Sequence, residues 1–106
     1  MNNQRRKSLK ELIKQLQDVY SKIEDLQNDS DEIASAIEEV RDEEQEAFDN
    51  LPEGVQMAER GELMEAAIDN LDNATSSVND LSSSLSDLLE QIDEAIEYME
   101  EAMCKN

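Results

Sequence analysis

Any chemistry in this chain falls to carboxylates. Glu38, Asp42, Glu46 and Asp49 recur at intervals of three or four residues and so share one stripe of a helix; Glu59, Glu62 and Glu65 repeat the pattern beyond a short gap. Carboxylates at such density can hold a hard cation, act as acid and base, or present a field like that of a phosphate backbone. The first two uses need companions that are missing. There is no histidine and no glycine-rich phosphate loop, and the single cysteine, Cys104, has no base beside it, so nucleophilic catalysis, a zinc site and an internal disulfide are all excluded. The acidic loop lacks the alternating oxygen ligands and central glycine of an EF-hand, and the Glu-x-x-His pairs of a di-iron bundle are absent. The chain is therefore read as a non-enzyme with no catalytic residue, cofactor or metal site, and Cys104 is given no role.

The elements that position these acids are organised around Asp49 to Gly61, which holds the only proline and both glycines. Pro52 lacks an N–H and disfavours helical geometry at Leu51, so a helix arriving through Phe48 stops near Asn50. Asn50 with Glu53 has the form of a capping box, and Gly54 is expected at a positive φ that closes the turn, with a short helical turn between Leu51 and Gln56.

On either side the apolar positions advance in steps of three and four. In the first half they run Leu9, Leu12, Leu16, Val19, Ile23, Leu26, Ser30, Ile33, Ile37, Val40, Glu44, Ala47 and Leu51, which puts residues 9 to 51 at heptad a and residues 12 to 47 at heptad d; Met64 to Ala102 repeats the pattern. The predicted fold is all-α, a long two-helix antiparallel coiled-coil hairpin sealed by a and d residues. The helices are expected at about residues 7–49 and 59–103, the turn at 50–58, and residues whose numbers add to about 111 should face each other.

Further apolar residues stand at e positions, among them Ile13, Tyr20, Ile68, Leu89 and Ile96. An a/d/e face is wider than a two-helix seam covers, so these five are predicted to carry self-association into a four-helix bundle, a homo-oligomer and most simply a dimer. The middle differs. Ala74 to Asp87 is rich in Ser, Thr and Asn, poor residues for a helix interior, and it faces an equally short and polar Gln27 to Asp31. That segment reads either as tolerated surface or as a waist where small side chains let another helix approach.

Charge is unevenly spread. Residues 1 to 22 hold six basic residues against Glu11 and Asp18, and the whole chain is at −19. Antiparallel pairing would lay Lys10 and Lys14 beside Glu97, Glu100 and Glu101, so the basic stretch is read as an intramolecular partner, with no direct nucleic-acid binding. From Asp31 to Asp72 fifteen acidic residues meet only Arg41 and Arg60. Within that half, Glu38, Asp42, Glu46, Asp49, Glu59, Glu62 and Glu65 are predicted to bind a protein partner with a basic groove. No apolar run spans a membrane and Met1 to Lys10 lacks a signal segment, so a cytoplasmic location is expected.

The segment Val40 to Gly54, followed by Glu59-Arg60-Gly61-Glu62 and Ala67-Ile68-Asp69-Asn70-Leu71, resembles small acidic helical-hairpin proteins encoded by bacteriophages and prophages of Gram-positive bacteria. The resemblance covers the central third. It implies a two-helix protein acting in the bacterial host cell, of a kind from which inhibitors of bacterial defence, anti-CRISPR proteins included, have been recruited. A structural coiled-coil assembly or regulatory protein is the alternative. A secreted helical-hairpin effector of type VII secretion is the third reading, and its signatures fail: the turn reads Leu51-Pro52-Glu53-Gly54 without Trp, and Tyr98 is followed four residues later by Ala102.

Overall fold

The computed structural model describes residues 1–104. Two long helices, α1 (Asn3–Asp49) and α3 (Glu59–Cys104), flank a single turn of helix, α2 (Glu53–Gln56), and no strand occurs among the described residues. α1 and α3 pack against each other as an antiparallel hairpin, the predicted fold class. Two compact units are distinguished: Met1–Asn28 with the segment that begins at Ser83, and Asp29–Ser82, which carries the turn.

Each helix begins and ends for local reasons. α1 starts four residues before the predicted boundary because the Asn2 side chain caps it, its Oδ1 accepting from the Arg5 N–H at 2.8 Å. At the other end the Asn50 N–H still reaches the Glu46 carbonyl, and the Leu51 N–H tightens onto Phe48 before Pro52 stops the helix. The side chain of Gln56 then donates to the Phe48 carbonyl at 3.0 Å, satisfying one of the acceptors that the end of α1 leaves open. Two expectations about the turn are corrected. Pro52, at φ −57° and ψ 145°, is the N-cap of α2 with no side-chain cap bond, so Asn50 and Glu53 form no capping box. Gly54 has no positive φ, because α2 continues through it.

The turn glycine that matters is Gly61. It is buried in the first turn of α3, and a Cβ there would collide with the Gln56 carbonyl group. Gln56 therefore fixes the turn twice, through its side chain to α1 and through its backbone to α3.

The pairing register agrees with the sequence, and the buried face does not. Residue numbers add to 109 for Arg6 with Met103 and to 113 for Asp31 with Ser82 and Arg41 with Asp72, close to the expected 111. Yet every e residue of α1 from Ile13 to Phe48 is buried or half-buried, whereas every d residue from Leu12 to Ala47 is exposed. On α3 the e residues from Ile68 to Met103 are likewise withdrawn, while Leu81 and Leu88 at d are exposed. The helices thus meet through a and e. On the helical wheel d and e stand on opposite sides of a, and two helices alone can enclose only one of them. Ala34, Thr75 and Ser82 make the e side short enough for close approach, and Arg41 reaches across from the same column to Asp72.

The resulting core is thin. Its buried apolar residues are Ile13, Ala34, Ile68, Leu89 and Ile92, and among the described residues no large side chain is fully enclosed. Leu12, Val19, Leu26, Ile33, Val40, Leu81 and Leu88 remain 41 to 53 % exposed. Full burial of such a side chain is worth about 1.5–3 kcal/mol, so each leaves roughly 1 kcal/mol unrealised in the single chain.

Candidate functional site: an acidic surface in the turn-bearing unit

The seven predicted carboxylates, Glu38, Asp42, Glu46, Asp49, Glu59, Glu62 and Glu65, are all exposed. Glu38 and Glu65 occupy heptad b, Asp42, Asp49 and Glu62 occupy f, and Glu46 and Glu59 occupy c. These positions lie beside and behind the a/e seam, away from the d column. The turn brings the last turns of α1 and the first of α3 into the same compact unit, so the acids of both helices belong to that unit.

Local bonds orient part of that surface. Gln45 Nε2 donates to Asp49 Oδ1 at 2.9 Å along the helix, and Arg41 Nη1 lies 3.5 Å from Asp42 Oδ1. The stronger ion pair is Arg41 Nε to Asp72 Oδ1 at 2.9 Å, which crosses from α1 to α3. The hydrogen bond to Asp72 is the chief reason that the Arg41 guanidinium is held still more firmly in its charged form than usual. Arg41 and Arg60 are the only cations from Asp31 to Asp72, so once Arg41 is committed to the seam little is left to neutralise the surface.

A shallow open groove of about 220 Å³ is lined by Arg41, Gln45, Phe48, Glu65, Ile68 and Asp69. It adds Asp69 and Phe48 to the predicted acidic set. Their signal was the neighbouring e residue: with Ile68 in the seam, Asp69 must stand beside it at f.

The five residues predicted to carry self-association are placed otherwise than expected. Ile13, Ile68 and Leu89 are buried at 5 to 9 % exposure, and Tyr20 and Ile96 are half-buried, all in the e columns that seal the helix pair. The d residues of α1 and Leu81 and Leu88 of α3, which the sequence reading had put inside, are exposed, as are Met57, Leu63 and Tyr98 outside the d columns. In the unit that begins at Met1, Leu12, Leu16 and Val19 line one shallow depression together with Met99 of α3. The open end also differs in its cation. Arg6 Nε donates to the Met103 carbonyl at 3.2 Å, placing positive charge at the C-terminal turn of α3, where the helix dipole favours it, while Lys10 and Lys14 stay exposed.

Among the described residues no group of three or more His, Cys, Asp or Glu is arranged to hold a metal ion, and no helix is long and apolar enough to cross a membrane. Cys104 is a free, exposed thiol. Comparison with known proteins brings no family to this fold: no family model, no curated protein and no solved structure matches the chain.

Proposed function

We propose that this is a non-enzymatic protein-binding protein whose acidic surface occupies the basic groove of a partner in place of nucleic-acid phosphate. The observation that carries the reading is the exposure of all seven carboxylates on the b, c and f positions of one compact unit, whose two cations from Asp31 to Asp72 include Arg41, paired most closely with Asp72 and also with Asp42. Fixed negative charge on paired helices needs no reorganisation on binding, and it accelerates encounter with a cationic groove. The resemblance to phage-encoded acidic hairpins gives the partner a class: a host defence or nucleic-acid-handling protein of the bacterial cytoplasm, inhibited by occupation of its nucleic-acid site.

The exposed d column favours a second reading, a structural coiled-coil assembly protein that works as a homo-oligomer and whose charge serves solubility. Salt separates the two. A partner held by the acidic surface should elute from the immobilised chain as ionic strength rises, and replacing the seven carboxylates by Gln or Asn should abolish its capture. Capture that resists salt and survives the sevenfold substitution would overturn the mimicry reading.

A further inference from the structure

We propose that the d column of α1 is covered by α1 of a second copy, running antiparallel and centred on Leu26. The proposal rests on the reading that the chain self-associates, and gives that association a surface and an orientation.

The first support is what flanks the exposed apolar residues. Beside the d column of α3, which exposes Leu81 and Leu88, the g positions of that helix carry Leu63, Asn70, Ser77, Ser84, Gln91 and Tyr98, none charged, in a chain in which 35 % of residues are charged. Across a two-fold axis only a residue on the axis meets its own copy, so a charge elsewhere on such a face needs an opposite charge or a neutral residue at the mirrored position. On α3 the acids are gathered at b, c and f, which leaves this side of the helix neutral.

The second support is the pattern on α1, which is complementary to itself when reversed about Leu26. Val19 then meets Ile33 of the second copy and Leu12 meets Val40, so each layer is apolar, and all five side chains are exposed in the single chain. The charged g residues of α1 from Ser8 to Glu43 are Lys22, Asp29 and Glu43. Reversal brings Lys22 to the level of residue 30, beside Asp29 of the second copy, twice by symmetry, and brings Glu43 to the level of residue 9, beside uncharged Ser8. A parallel pairing would oppose Lys22 to Lys22, Asp29 to Asp29 and Glu43 to Glu43. The same reversal lays residues 1 to 22, at +4 from six basic and two acidic residues, over residues 30 to 51, at −8 from nine acidic residues and Arg41. Antiparallel e/g-type charge pairing of this kind sets partner and orientation in helical bundles.

Sedimentation equilibrium of the full chain under reducing conditions tests this. The wild type should have twice the 12.0 kDa chain mass at tens of micromolar. Leu26→Glu, which opposes two carboxylates at the axis, should weaken the dimer about a hundredfold or more while circular dichroism stays helical, since residue 26 is outside the seam. Lys22→Glu and Asp29→Lys should each weaken it by about tenfold, and the double variant should recover most of that loss. A 12.0 kDa species throughout would remove self-association and the interface together. A dimer that survives Leu26→Glu, or a double charge reversal no tighter than the single ones, would overturn this interface while leaving self-association standing.

Discussion

The Ser82 hydroxyl donates to Asp31 Oδ1 at 2.6 Å, a short bond from the buried e column of α3 to an exposed carboxylate on α1. It turns a serine that is a poor residue for a helix interior into a cross-helix contact, and a charged acceptor makes such a bond worth about 1.5–3 kcal/mol. Ser82→Ala should lower the unfolding free energy by about 1 kcal/mol or somewhat more, read from thermal melts; no change would mean that water replaces the bond without loss.

Thr75 is the opposite case. It is buried in the same column and its Oγ1 has no hydrogen-bond partner. Thr75→Val keeps the shape and removes the unmet polar group, so it should stabilise the fold by about 1 kcal/mol, seen as a rise of several degrees in Tm.

The two glycines should behave differently. Gly61→Ala drives a methyl into the Gln56 backbone and should cost about 2 kcal/mol or more in chemical denaturation. Gly54→Ala meets open space and an ordinary φ, and should be neutral or stabilising by up to about 1 kcal/mol.

Tyr20 ionises above its ordinary value of 10.0, chiefly because Asp93 disfavours a second negative charge nearby, with burial and Glu24 adding to it. A folded pKa above the unfolded one means that the neutral phenol is favoured by folding. That contribution is complete below pH 10 and is lost as pH climbs through the raised value. In a Tyr98→Phe background, ultraviolet titration should find Tyr20 above 10, and Tyr20→Phe should reduce the alkaline loss of stability.

Replacing the seven surface carboxylates by Gln or Asn should preserve helicity and raise Tm at low salt, because like charges on paired helices repel. The gain should shrink as salt is added to both proteins, since screening already relieves the parent. A fall in Tm at low salt would show that these acids hold the fold together.

The sequence by itself determined the helices, the turn and the pairing: sustained steps of three and four residues admit no strand, Pro52 cannot continue a helix, and a short connection forces antiparallel neighbours. It also determined that the seven acids would be outside, since none falls on a, d or e. Which apolar column became the seam was decided only in the tertiary structure. The columns at d and e flank a on either side, and their hydrophobicity is too similar for periodicity to choose between them. The choice rests on how the two helices rotate against each other. Ala34, Thr75 and Ser82 permit close approach on the e side, Arg41 reaches Asp72 from it, and Gln56 against Gly61 sets the geometry of the turn. Those contacts join residues up to dozens of positions apart, so no local pattern records them, and they leave Leu12, Val19, Leu26, Ile33 and Val40 facing out.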